Sequence, residues 1–315
     1  MKAAVKLHLV ILVLFVIAVI VSMASRGGRT ALAQAGCAPP PAGLVSFWPG
    51  DASANDFQGT NHGTLVNGAT FAAGRVGPAF SFDGTDDFVN VSSTINLGSS
   101  FSIEFWMFPT RAAGFEHLVS NGFASSNYGA LYFLNDHLEY WQNGGLRAAT
   151  PGASVSLNAW AHVALVYNGN MAQLYLNGSP SGSPSVAHPE TFNNPLRLGY
   201  AVIPASGEST FQGRLDEISL YSAALSATEV QSIFTAGSAG KCVAPALLIN
   251  DAAVSEGNSG TANMNFTVTL LRSTVAAMVD YATADGTATQ PSDYTATSGT
   301  LTVPQACLGA AIGST

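Results

Sequence analysis

Two kinds of side chain in this sequence stand at spacings that could do chemistry: clustered carboxylates and paired aromatic rings. In the turn DGTDDF, Asp86 and Asp87 follow Asp83, and three carboxylates within five residues repel one another unless a cation or amide donors lie between them. Two readings stand for them, ligation of a divalent metal or hydrogen bonds to the turn's own amides. Asp216 is placed by strand alternation on one face with Ile218 and Leu220, an apolar setting in which a carboxylate needs a partner. Arg214 would serve, and so would a calcium ion shared with Asp51 or Asp56 of the opening loop. The rings stand in LEYWQNGG, where Tyr140 and Trp141 precede Gln142 and Asn143, with Tyr128 and Tyr132 nearby in sequence. Exposed rings beside polar groups are what a pyranose face stacks on, and ordinary packing at the rim of a sandwich is the competing reading. Trp48, Trp106 and Trp160 lie in strongly apolar runs and read as core.

Catalysis is not expected. A retaining glycosidase needs two carboxyl groups about 5 Å apart, a separation that alternate positions on one strand deliver. Glu104 is the lone acid of its strand, and Asp216 and Glu217 are adjacent, which sends them to opposite faces. The six histidines form no H-x-x-x-H pair and no serine stands in a G-x-S-x-G elbow. An enzyme reading would need acids converging from different strands.

The elements that must position these groups are strands. Residues 160–178, WAHVALVYNGNMAQLYLNG, read as a hairpin whose first strand is apolar on both faces and whose second alternates, joined by Asn168-Gly169, a dipeptide that accepts positive φ. Further runs lie at 44–48, 79–82, 88–91, 101–108, 116–120, 130–134, 138–141, 196–200 and 213–221. Many short strands divided by Gly, Asn and Pro predict an all-β antiparallel sandwich of the jelly-roll kind. One short helix follows: Ser226 and Glu229 form a capping box, Leu225 and Val230 a hydrophobic staple, and Gly237 the stop. Its stripe of Val230, Ile233 and Phe234 should pack on the sandwich.

Only 10% of the residues are charged, which suits an extracellular β-rich chain. Lys2 and Lys6 precede the apolar run 7–23, and A-x-A sites follow, so residues 1–35 read as a signal peptide. The alternative is an uncleaved membrane anchor. Without residues 1–35 the chain keeps 7 basic against 19 acidic residues, a net charge of −12, which argues against nucleic acid as a partner. It is compatible with divalent cations. Residues 236–246, AGSAGKCVAPA, have linker composition. Beyond them 262–271 alternates as a one-face-buried strand, followed by strands at 277–282 and 299–303. From Leu247 to the end there are 69 residues, short of the roughly 100 of an immunoglobulin-like sandwich.

The blocks GLVSFWPGD (43–51), AFSFDGTDDFVNV (79–91), FSIEFWMFP (101–109), WAHVALVYNG (160–169) and FQGRLDEISLYSAALSATEVQSIF (211–234) resemble the laminin G-like, concanavalin A-like jelly rolls of secreted bacterial proteins. The resemblance implies such a domain over 37–242. In a sandwich of this kind the first and last strands commonly lie side by side, so Cys37 and Cys242 should pair in an oxidising compartment, two free thiols being the alternative. Cys307 is left without a partner. Glycosidases of the same fold carry E-x-D-x-x-E or a close variant on one strand, and this sequence has none. In the similar pentraxins, paired calcium ligands occupy the place of Asp86 and Asp87, but the loop that completes that site is here AVIPASGEST (201–210), with Glu208 its one acid.

Past the linker, NDAAVSEGNSGTANMNFTVTL and VDYATADGTATQPSDYTATSGTLTV resemble the first half of a Calx-β domain over 247–303, in which Glu256 and Asp293 would help bind calcium. Two carboxylates fall short of the six or more oxygens calcium takes, and the remaining ligands of that family lie in a second half replaced here by a disordered tail, 304–315. The expectation is a secreted, non-catalytic recognition or adhesion module that binds a glycan or a cell-surface protein, with calcium as the one candidate cofactor. The alternatives are a structural spacer, and a glycoside hydrolase with acids from separate strands. Contact with a membrane would come only through an uncleaved signal.

Overall fold

A computed structural model describes residues 36–121, 129–186, 195–200, 208–243, 246–249, 263–271, 277–285 and 289–303. The chain divides into two compact units, Ala33–Val243 and one that holds Ala244–Thr315. Residues 1–35 and 304–315, read as signal peptide and tail, lie outside the described residues. Among the described residues no helix is long and apolar enough to cross a membrane.

The first unit is an all-β jelly-roll sandwich of two sheets. One sheet runs in spatial order Ser179–Val186 (β13), Met171–Leu176 (β12), Ala161–Tyr167 (β11), Phe101–Pro109 (β6), Gln212–Tyr221 (β16), Pro78–Asp83 (β4) and Thr70–Ala73 (β3), with Leu44–Trp48 (β1) also paired to β16. The other runs Gly145–Ala149 (β10), His137–Gln142 (β9), Gly129–Leu134 (β8), Phe115–Asn121 (β7), Leu196–Leu198 (β14), Phe88–Val91 (β5) and Gly63–Val66 (β2). Glu208–Thr210 (β15) adds to β7 in parallel, and the other pairings of this unit's strands are antiparallel. Alternation fills the space between the sheets: Phe101, Ile103, Phe105 and Met107 of β6 meet Leu131 and Phe133 of β8 and Leu138 and Tyr140 of β9.

The run in β11 is apolar on both faces because both faces are covered. Its inner residues Val163, Leu165 and Tyr167 enter the core, while Ala164 and Val166 pack under helix Ala227–Ala236 (α1) through Val230 and Ile233. The helix begins as expected, with Ser226 Oγ accepting from the Glu229 amide and Glu229 reaching back to the Ser226 amide. Phe234 stacks on Trp106 at 5.8 Å, and the Arg75 guanidinium lies 4.8 Å from the same indole.

Beneath this cover is a buried charged cluster. Lys241 Nζ donates to Glu104 Oε1 (3.0 Å), lies 3.4 Å from Glu217 Oε2 and sits 4.7 Å from the centre of the Phe47 ring. His162 Nε2 is 3.2 Å from Glu104 Oε2, and the Tyr221 hydroxyl donates to Glu104 Oε1 at 3.1 Å. Burial alone would raise the Glu104 carboxyl. The Lys241 ammonium and the hydrogen bond from His162 outweigh it and hold the group at about 2 against an ordinary 4.5. Burial, then the neighbouring Glu104 charge, push the Tyr221 phenol far upward, so it remains a donor.

The segment carrying Lys241 is fixed at both ends of the unit. Cys37 and Cys242 are joined by a disulfide across 205 residues, the Ala38 amide donates to Gly240 O and the Cys242 amide to Ala38 O. The stretch 236–246, expected as a linker, therefore belongs to the sandwich as far as Val243, because Lys241 is needed where two carboxylates are out of water.

A bulge overturns two further expectations. Between Asp216 and Ser219, β16 carries one residue more than β6, with Glu217 at φ +58. Asp216 thus lies on the outer face opposite Trp106, while Ile218 and Leu220 point into the core, and Glu217 turns to the same outer side toward Lys241 rather than opposite to Asp216.

In the second unit Ala246–Ile249 (β17) pairs with Val268–Leu271 (β18), and Ala277–Ala282 (β19) with Ser298–Val303 (β20) around Val279 and Val303. The strand expected over 262–271 is four residues long, the length of its partner β17.

Two outcomes follow. Lys241→Ala should lower the unfolding free energy by about 3–5 kcal/mol, since it strands two buried carboxylates, and denaturant melts of the oxidised protein measure this. A carboxyl held below its unfolded value stabilises above that value and loses its contribution as pH falls. Between pH 4.5 and about 2 the protein should therefore lose about 3 kcal/mol through Glu104, and Glu104→Gln should flatten that limb of the stability profile.

Candidate functional site

Helix α1 covers part of the outer face of the first sheet, and the outer face of the second carries rings singled out by sequence. Alternation and register set what it presents. Along β9, His137, Glu139 and Trp141 point outward, and Leu138 and Tyr140 inward. Across the sheet Leu134 pairs with His137, Tyr132 with Glu139 and Ala130 with Trp141. On the far side of β8, Phe115 stands opposite Leu134 and His117 opposite Tyr132.

The result is one aromatic row over three strands. The Phe115 ring meets Tyr132 edge-on at 5.4 Å and Trp141 edge-on at 6.1 Å, and His117 lies 4.5 Å from Tyr132. Trp141 is half-buried, with its indole N–H donating to Glu139 Oε2 at 2.7 Å and with Leu146, 44% exposed, opposite it on β10. The other oxygen of Glu139 is 3.3 Å from His137 Nε2, and His137 Nδ1 is 3.0 Å from Asp136 Oδ1. The bond with His137 holds the Asp136 carboxyl below its usual range. On β14, beside β7, Arg197 stacks its guanidinium 4.2 Å from the Phe88 ring, and burial keeps this guanidinium below the ordinary arginine range.

Of the four rings singled out by sequence, Tyr132 and Trp141 share this face. Tyr132 lies beneath its surface, 4% exposed, between Phe115 and His117. Tyr140, 2% exposed, belongs to the core because it stands one residue from Trp141 on a strand, so it offers no ring to solvent. Tyr128 lies outside the described residues. Phe115, His117, His137, Glu139 and Arg197 were not anticipated. For His137 and Glu139 the signal was present, since HLEYWQ alternates, whereas Phe115, His117 and Arg197 join through register.

The carboxylates read as metal ligands are mostly engaged with backbone amides. Asp56 Oδ1 accepts from Phe47 N and Gln58 N and its Oδ2 from Asn61 N, which builds the 56–61 loop. Asp83 Oδ1 accepts from Thr85 N and Asp87 Oδ2 from Asp83 N. Burial, then the charges of Asp83 and Asp86, raise the Asp87 carboxyl against the pull of the Asp83 amide. Asp86 contributes its main-chain oxygen, which accepts from Asn67. Asp216 Oδ2 accepts from Arg75 N (2.7 Å) and Val76 N (2.9 Å), not from Arg214, whose guanidinium donates to Ala73 O and lies over Phe108.

Asp51 and Asp216 each approach the turn between β3 and β4. A methyl on Gly77 would sit 2.6 Å from Asp51 Oδ1, and one on Gly74 2.6 Å from Asp216 Oδ2. Asp293 accepts from Thr289 N in the second unit, and Glu256 and the Glu208 side chain lie outside what is described. Among the described residues no three His, Cys, Asp or Glu side chains are grouped to share an ion.

Residues 83–231 match the Laminin_G_3 family, described as the concanavalin A-like lectin/glucanases superfamily. The sandwich is similar to that family. Among solved structures, the binding domain of Paraclostridial Mosquitocidal Protein 1 shares the fold at 16% identity and a TM-score of 0.52, over 82% of this chain and 75% of that one. Domain 4 of AbnA, an extracellular GH43 arabinanase of Geobacillus stearothermophilus in complex with arabinotriose, aligns at 18% identity and TM-score 0.48, over 60% of this chain and 96% of that domain. A Trypanosoma rangeli sialidase aligns at 17% identity and TM-score 0.46, over 62% of this chain, and this chain spans a third of its length (33%). No curated protein matches the sequence.

On this face one residue separates surface from core. Trp141→Ala should cost less than about 2 kcal/mol in a denaturant melt, whereas Tyr140→Ala should cost about 3–5 kcal/mol as a large-to-small core change.

Proposed function

We propose that the first unit is a secreted, non-catalytic recognition module that binds a glycan on the outer face of the second sheet, with Trp141 as the stacking ring. The observation that carries this reading is the fixing of that indole: edge-on Phe115 and the carboxylate of Glu139 hold it at the surface in one orientation. A ring that is already immobile loses little freedom when a sugar stacks on it, and CH contacts with its face are worth about 0.5–1.5 kcal/mol beyond the area buried. Glu139, which accepts from the indole, and His137 and Asp136 beyond it on the same face are the polar groups available to hydroxyls.

The match to a lectin and glucanase family over 83–231 supports a carbohydrate ligand, and the disulfide supports an oxidising compartment. For calcium, the carboxylates to test are Asp51 and Asp216, which each approach the 74–77 turn. The resemblance of 247–303 to part of a Calx-β module supports an adhesion role for the chain. Leu146 beside Trp141 is apolar and exposed, and this favours a cell-surface protein as the second reading.

Titration of the full chain across a panel of neutral and acidic polysaccharides, with calcium and with chelator, tests the glycan reading. Binding should appear on some member, and Trp141→Ala should weaken it at least tenfold while the protein stays folded, with a loss of less than about 2 kcal/mol in the melt. Silence across the panel in both conditions would leave the protein-partner reading in its place.

A further inference from the structure

The ring of His137 faces a carboxylate at each nitrogen, Asp136 Oδ1 at Nδ1 (3.0 Å) and Glu139 Oε1 at Nε2 (3.3 Å). A neutral imidazole has one N–H and one lone pair, so it can donate to one of these oxygens and must turn its lone pair to the other. The imidazolium donates to both. Glu139 in turn accepts the indole N–H of Trp141 on its remaining oxygen, which makes a chain of four side chains from Asp136 to Trp141.

We propose that His137 is a positioning residue for the Trp141 platform, and that protonation of its ring on acidification locks Glu139 and, through it, the indole. In the neutral form the nearer acceptor, Asp136, competes for the single N–H. Glu139 is then left facing a lone pair and is free to swing away from the indole. The face is therefore held in its binding form by the imidazolium and loosened by the neutral ring.

The surroundings suit such control. Among the described residues the charged groups that face the ring are Asp136, on the turn before it, and Glu139, on its own strand. The neighbouring strand β8 presents Leu134 opposite it, and the 150–155 loop holds Asp136 through backbone amides. On β10 Arg147 is turned to the far end of the hairpin, where it donates to Gln142 O. The ring is partly open to solvent, its side chain 21% exposed, so protons reach it without any rearrangement of the fold.

The device rests on the glycan reading only for its consequence in binding, and its structural half is measurable without a ligand. The indole N–H of Trp141, assigned by its loss in Trp141→Phe, is followed by nuclear magnetic resonance from pH 5 to 8. In the wild type it should move along a single titration curve, and in His137→Gln it should stay in place over the same range. An indole signal that does not titrate, or that titrates identically in His137→Gln, overturns the proposal. Where a glycan binds, its affinity should fall several-fold from pH 5.5 to 7.5 in the wild type and stay level in His137→Gln. A panel without any binder together with a titrating indole would sink the glycan reading and leave the coupling standing.

Discussion

An ammonium group held out of water between two carboxylates closes this sandwich. Lys241 is reached only after the chain has completed both sheets and the helix, yet its partners sit on β6 and β16 near the middle of the first sheet. Charges in such a place cost several kcal/mol each to desolvate, and only close pairing offsets that cost. Every neighbouring feature serves the pairing: the bulge turns Glu217 toward the amine, His162 and Tyr221 complete the hydrogen bonds of Glu104, and the disulfide keeps the segment from withdrawing. The terminal segment and α1 are thus committed to covering this sheet, while the aromatic row lies on the opposite one.

The sequence revealed the strands that are buried and hid those that are not. All eleven expected runs became strands to within a few residues, since each contributes side chains to the core. The five missed in this unit, β2, β3, β10, β13 and β15, are the outermost strands of both sheets and one short parallel addition. An edge strand needs to satisfy neither a second neighbour nor a fully apolar face, so Gly, Thr, Ser and Pro are admitted. SPSGSPSV in β13 reads as loop for that reason, and Pro180 and Pro184 there blunt the free edge.

Legibility of the site followed the same division. Alternation within a single strand is written in the sequence, so HLEYWQ could have assigned Trp141, Glu139 and His137 to one face and Tyr140 to the other. The neighbours across β7 and β8 depend on register and on the bulge beside Leu118, where a slip of one residue would exchange every outward side chain for an inward one. Asp216 shows the cost of alternation applied across a bulge: the extra residue after it reverses the faces of Ile218 and Leu220. The disulfide was legible through the meeting of the first and last strands, while the burial of Lys241 was not, because nothing local marks a lysine as interior.

An acidic chain with few bases has to satisfy its carboxylates in some other way, and here it does so largely with main-chain amides. Asp56, Asp83, Asp87, Asp216 and Asp293 each accept from at least one backbone N–H of a strand or turn. Such bonds favour the ionised form and stiffen the loop, so a carboxylate can organise a turn without a cation. That accounts for acidic turns which look like metal sites by composition, and it sets what a metal would have to do. At Asp56 an ion would compete with three amides already in place, whereas Asp51, in the loop after β1, and Asp216, on β16, approach one turn from two separate elements, where an added ion would join elements instead of breaking a loop.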